Sequence, residues 1–123
     1  MLFRSQAAPV IVSKAHLAAS GGRACAIVAN AGCANACTGD EGVAVAEGMT
    51  EATARLVGCR PDEVLVASTG VIGVALSLDK VRAALPGAFA QLSADHGPEA
   101  ARAIMTTDPF PKEAAAKIGR AHV

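Results

Sequence analysis

Residues 63–73, EVLVASTGVIG, constrain the fold of this chain more than any other stretch. Val64, Leu65, Val66 and Ala67 form a short uninterrupted apolar run, the pattern of a strand buried on both faces, and Ser68, Thr69 and Gly70 then end it. A glycine at such a point lets the backbone turn with little steric penalty. Neighbouring N–H groups can then converge on a substrate oxygen while the adjacent hydroxyl supplies a second donor, which is the geometry of an oxyanion hole. The same residues also suit an ordinary strand-to-loop turn, and this stretch alone does not choose between the two.

The remainder alternates between strand-like and helix-like segments. Residues 8–13, APVIVS, form a β-branched run that predicts a strand with Pro9 at its start, followed by a polar connection over residues 14–22. Residues 23–30, RACAIVAN, predict a second buried strand. The loop that follows, NAGCANACTG, consists of small residues and two asparagines, Asn30 and Asn35, so backbone and amide groups can approach a ligand or another loop closely. Asp40 is the expected cap of a helix over residues 41–56, with Val43, Val45, Met49 and Leu56 near helical spacing and Gly58 as its stop. Ser77 or Asp79 caps a further helix carrying Val81, Leu85 and Phe89, which Pro86 is expected to split or kink. A third helix is predicted over residues 98–105, ending in the polar turn Thr106, Thr107, Asp108, and residues 112–117 are helix-prone. This order of elements indicates an α/β domain.

Composition narrows the function classes. A chain of 123 residues suits one domain, and its 11 basic and 11 acidic residues cancel, which argues against nucleic acid or an anionic membrane as partner. With aromatics at 2% and neither Trp nor Tyr, the core has to be built from Ala, Val, Leu and Ile. The longest uncharged stretch, between Glu63 and Asp79, falls short of the roughly 20 apolar residues of a membrane helix. The amino-terminal residues MLFRSQAAPV hold no apolar stretch long enough for a secretory signal, so a cytoplasmic location and reduced thiols are expected. Cys33 and Cys37 are spaced CxxxC, neither a redox pair nor half of a zinc motif, and with Cys25 and Cys59 they are expected to be small buried hydrophobes. His16, His96 and His122 stand singly among polar neighbours and read as surface residues.

Three motifs in order, NAGCANACTG, VLVASTGVIG and AIMTTDPFPK, resemble the ornithine acetyltransferases of arginine biosynthesis, also called bifunctional glutamate N-acetyltransferases, across nearly all of residues 8–117. The resemblance implies a self-cleaving, layered α/β sandwich present here only in part. Residues 1–117 would be a partial domain from the amino-terminal (alpha) chain of such an enzyme. It further implies acetyl transfer from N-acetylornithine to glutamate by a ping-pong route through an acetyl-threonine, the nucleophile being the threonine released at the amino terminus of the second chain. That threonine, with its glycine-rich cleavage segment, is expected to lie beyond this sequence, so the fragment alone would be inactive. A free α-amine beside the threonine needs no separate histidine base. By the same resemblance Thr69 and Gly70 form the oxyanion hole and Thr106 meets the substrate, the structural alternative being that its hydroxyl satisfies a helix-end carbonyl. Cys33 stands where the family commonly has asparagine. Ile118 onward, IGRAHV, departs from the family pattern and is expected to be a non-native tail. No metal and no bound organic cofactor are implied, acetyl-CoA being at most a co-substrate. The implied partners are the carboxy-terminal (beta) chain, in a heterotetramer, and the two small substrates. Alternatives are an amidase or peptidase of the same self-cleaving fold, and a non-catalytic cysteine-containing binding module.

Overall fold

The structure, a computed structural model, describes residues 5–119. His122 and residues 120–123 of the expected tail lie outside the described residues.

Two parallel strands form the centre. β1 (Ala26–Cys33) pairs with β2 (Val64–Val71) in the register Ala26 to Val64 through Cys33 to Val71. Parallel neighbours cannot be joined by a hairpin, and the crossover here contains α2 (Gly39–Val57) and the 3-10 turn Pro61–Glu63. Ahead of this unit runs α1 (Ala8–Ser20), and after it come α3 (Leu78–Ala90) and α4 (Gly97–Ala103). Among the described residues no helix is long and apolar enough to cross a membrane.

The core lies between the sheet and the first two helices. Val28, Val64 and Val66 project from the strands onto Ala8 and Val12 of α1 and Ala46, Met49 and Ala54 of α2. Met49 and Val64 are fully buried. Along β2 the buried positions alternate with open ones, and Ile27 on β1 is 72% exposed. The expectation of strands buried on both faces is therefore corrected: α1 and α2 cover one face, and among the described residues the opposite face, with Ile27, Ala67, Thr69 and Val71, is largely exposed.

Residues 8–13 are helical, which corrects the predicted strand and the polar connection after it. The local β-branched run yields to a longer period. Ala8, Val12, His16 and Ser20 recur every fourth residue on the inward side of α1, and Pro9 sits in the first turn, where its missing N–H is not needed. This helix also covers the outer edge of β2. The Ser13 hydroxyl accepts from the Val66 N–H and donates to the Val66 carbonyl, both at 3.0 Å, and His16 Nδ1 lies 2.8 Å from the Val64 carbonyl. A carbonyl can only accept, so Nδ1 carries the proton. His16 is thus an edge-covering group rather than a free surface residue.

Other boundaries shift for local reasons. Both strands run beyond their apolar stretches, β1 to Cys33 and β2 to Val71, because the ladder continues through backbone groups whatever the side chain. α2 ends as expected on Gly58 in the left-handed region. It begins at Gly39 with Thr38 as N-cap residue, and Asp40 falls in the first turn instead of capping. Ser77 caps α3, accepting from the Lys80 N–H, while Pro86 does not split that helix. Pro86 and Arg82 are exposed, so water can reach the carbonyl that the proline leaves without a donor. Residues 112–117 form no helix: six exposed residues lack the packing that holds so short a helix. The cysteines are also less buried than expected, Cys25 and Cys37 being exposed and Cys33 and Cys59 half-buried, because all four sit at element ends or in the loop.

Candidate active site

The ends of β1 and β2 are stitched together side by side. Asn30 and Ser68 are cross-strand partners; the Ser68 hydroxyl donates to Asn30 Oδ1, and Asn30 Nδ2 donates to the Cys33 carbonyl at 2.8 Å. Next comes Gly32 opposite Gly70, both with positive φ, 106° and 131°. A Cβ on Gly70 would lie 2.3 Å from the carbonyl carbon of Gly32, so only glycine lets the two backbones approach this closely. The ladder then continues with the Ala34 N–H donating to the Val71 carbonyl at 2.9 Å.

These contacts fix the direction of the backbone groups on β2. The polar groups of Val64 and Val66 point outward to α1, whereas the Val71 carbonyl points to β1. Alternation along the strand places the N–H of Gly70 with the outward set, on the edge away from β1 and beyond the reach of Ser13. Thr69 beside it is exposed.

A cavity of about 620 Å³ opens at this end of the sheet, lined by Gly32, Thr69, Gly70, Val71, Met105, Thr106 and Thr107. All three residues singled out from the sequence, Thr69, Gly70 and Thr106, therefore lie on one hollow, although they come from distant parts of the chain. Thr106 is presented by the turn after α4. Its N–H donates to Asp108 Oδ2 at 3.2 Å, and Lys112 Nζ donates to Asp108 Oδ1. Two of the last carbonyls of α4, those of Ala100 and Arg102, take the N–H groups of Ile104 and Met105 at 3.2 Å.

The Lys112 hydrogen bond, followed by the Thr106 N–H, holds the Asp108 carboxyl below its ordinary value of 3.8. A depressed pKa means that the carboxylate's hold on the turn is complete above the ordinary value and is lost only as pH falls through the lowered one. The Thr106 amide resonance is thus expected to titrate with a midpoint below 3.8 and to lose this transition in Asp108→Asn. A midpoint at or above 3.8 would show that the charge does not hold the turn.

Gly32 was not singled out from the sequence, and its only signal was a glycine inside what proved to be a strand. Asn30 ties the two strand ends together beside the cavity, through Ser68 and the Cys33 carbonyl. Asn35 does not reach it. Buried at 2% exposure, Asn35 donates to the Gly42 carbonyl at 2.7 Å and accepts from the Thr38 hydroxyl at 2.6 Å, closing the start of α2. It lines a separate hollow of about 400 Å³ against residues 72–76.

The sequence profile of the ArgJ family matches residues 3–123. This chain belongs to the ArgJ family. Among its ArgJ relatives, the arginine biosynthesis bifunctional protein ArgJ of Symbiobacterium thermophilum is 49% identical over 113 residues, 92% of this chain and 28% of that protein. The protein of the same name from Methylococcus capsulatus is 53% identical over 112 residues, 91% of this chain and 27% of its own length. The chain thus spans about a quarter of the length of these ArgJ proteins. Its fold is that of solved ArgJ structures. The ornithine acetyltransferase of Mycobacterium tuberculosis, solved in complex with ornithine, superposes with a TM-score of 0.81 at 38% identity, over 88% of this chain and 58% of that one. ArgJ of Bacillus halodurans superposes with a TM-score of 0.76 at 34% identity, over 89% and 56%. The α/β expectation and the family resemblance are both borne out.

Proposed function

We propose that this chain supplies the oxyanion hole and part of the substrate pocket of a glutamate N-acetyltransferase, which moves acetyl from N-acetylornithine to glutamate. The observation that carries this reading is the convergence of Thr69, Gly70 and Thr106 on one cavity. The match to the ArgJ family, one member of which is solved with ornithine, supports the choice of substrate class.

In the proposed cycle a threonine supplied by a segment outside this chain attacks the acetyl carbonyl carbon of N-acetylornithine, its own α-amine taking the hydroxyl proton. The carbonyl oxygen becomes an oxyanion, and the Gly70 N–H and the Thr69 hydroxyl donate to it. When the C–N bond breaks, the proton goes to the departing amine, ornithine leaves and an acetyl-threonine ester remains. The amine of glutamate then attacks the ester through a second tetrahedral intermediate at the same donors; the C–O bond breaks, the threonine oxygen takes back a proton and N-acetylglutamate leaves. Their worth lies in being aimed, before reaction, at charge that develops only in the transition state. Thr106 lies across the hollow and orients the substrate. The nucleophile on a separate chain produced by self-cleavage, a heterotetramer, a cytoplasmic location and acetyl-CoA as an optional donor belong to the same proposal.

The test is to express a whole precursor containing these residues and weigh its products after exposure to N-acetylornithine. Two chains are expected, the second beginning with threonine and heavier by one acetyl group, which is then passed to glutamate. A single uncut chain that gains no acetyl would sink the proposal. Release of the acetyl group to water, with none appearing on glutamate, would replace the transferase by a hydrolase.

A further inference from the structure

Far from the Thr69 cavity, at the opposite end of the two strands, three potential metal ligands meet. Cys25 and Glu63 each immediately precede the first cross-strand pair, Ala26 and Val64, and the Cys25 N–H donates to the Glu63 carbonyl at 2.7 Å. The sheet therefore holds these two residues side by side. Cys59 arrives from the end of α2: it follows the left-handed Gly58, and its N–H donates to the Ala54 carbonyl at 3.1 Å. The two Sγ atoms and a Glu63 carboxylate oxygen all lie within 4.8 Å of one another. Each ligand thus stands on an anchored piece of backbone.

We propose that Cys25, Cys59 and Glu63 form a binding site for a thiophilic divalent cation of the zinc type. Zinc–sulfur bonds of about 2.3 Å and zinc–carboxylate bonds of about 2.0–2.2 Å place the corners of the tetrahedron roughly 3.5–3.8 Å apart. A spread of up to 4.8 Å closes to that by small side-chain rotations. The Arg60 N–H, donating to Glu63 Oε2 at 3.1 Å, orients the carboxylate in the manner of an outer-shell partner. Cys25 is exposed, which gives the ion a way in, and three protein ligands leave the fourth corner to water. Burial, then Cys25, Glu63 and Asp62, oppose ionisation of the Cys59 thiol. A dication reverses the sign of that field, and each thiol releases its proton to solvent as the metal–sulfur bond forms. This site departs from the expectation, drawn from the sequence, that no metal is involved. The sequence spacing gives no hint of it, because the three residues are brought together by strand pairing and by the cap of α2.

The experiment is a titration of the whole enzyme containing these residues, reduced and stripped with chelator, with cobalt(II) alone, reading the thiolate-to-cobalt charge-transfer absorption. A saturable band is expected, displaced by zinc. It should be lost in Cys25→Ser and in Cys59→Ser, weakened roughly tenfold or more in affinity by Glu63→Gln, and retained in Cys37→Ser. Zinc should also raise the melting temperature of the wild type but not of the double variant Cys25→Ser/Cys59→Ser, a readout that a merely folded scaffold would not give. A wild-type enzyme with free thiols and no charge-transfer band overturns the proposal without any variant. So does a band that survives in the double variant, or one that disappears only on replacing Cys33 or Cys37. Formation of a Cys25–Cys59 disulfide in air, with no cobalt uptake after reduction, overturns it in favour of a redox pair.

Discussion

Replacing Gly70 with alanine is expected to destabilise the protein by roughly 4 kcal/mol, a large share of the stability of any domain. Two costs combine. At φ 131° an L side chain is strained, at about 1–3 kcal/mol. The new Cβ would also lie 2.3 Å from the Gly32 carbonyl carbon and 2.6 Å from the Cys33 nitrogen and the Gly32 oxygen. Those are backbone atoms of the paired strand, not the mobile tip of a side chain, so relief requires the strands to part. Overpacking of that kind adds about 1–3 kcal/mol. Gly73→Ala is the matched control, because Gly73 has φ 97° but open space around its Cβ position, so only the strain term, about 1–3 kcal/mol, applies. The measurement is the denaturant midpoint of each variant of the whole enzyme at unchanged m-value. Equal midpoints for the two variants would mean that the close approach of Gly32 and Gly70 does not constrain the fold. Activity should fall further than stability in Gly70→Ala, since parting the strands also moves the Gly70 N–H.

The features that could be read from the sequence are those set by short-range chemistry. The apolar runs at Val64–Ala67 and Ala26–Ala29 mark the two strands, and Gly58 marks the end of α2. The features that were missed depend on what lies beside a residue in space. The run APVIVS looks like a strand over six residues and is a helix over thirteen, because a period of four outweighs local β-branching once Ala8, Val12 and Ser20 have a sheet edge to cover. Ile27 looks like a core residue and is 72% exposed. Nothing in the strand's own sequence says which segment will cover that face, and this chain corresponds to little more than half of the solved ArgJ chains it superposes on. A largely exposed face on a two-stranded sheet is what a layered sandwich shows when one layer is taken away. The site divides in the same way. The family resemblance of the STG and TTD motifs pointed to Thr69, Gly70 and Thr106 as candidates, which the structure places on one cavity, whereas Gly32 became visible only through the register that sets it against Gly70.

Thr69→Ala is expected to lower kcat of the whole enzyme about 10²–10³-fold, the loss seen when one oxyanion donor is removed. KM for N-acetylornithine should change little. The hydroxyl is proposed to meet the carbonyl oxygen strongly only once that oxygen carries charge, so the interaction contributes to the transition state far more than to substrate binding. In the proposed cycle both half-reactions pass through the same donors, so the burst of acetyl-enzyme and its later discharge to glutamate should slow together. Thr69→Ser keeps a hydroxyl and should restore most of the rate, whereas Thr69→Val keeps the shape and should not. The exposure of Thr69 makes a folding explanation easy to exclude, because truncating an exposed side chain removes little packing. All three variants should unfold at nearly the same denaturant concentration. A Thr69→Ala enzyme with normal kcat would remove the hydroxyl from the mechanism and leave the Gly70 N–H as the donor this chain provides. A raised KM with kcat unchanged would instead make Thr69 a substrate-binding residue, and the proposed division of labour between Thr69 and Thr106 would fall.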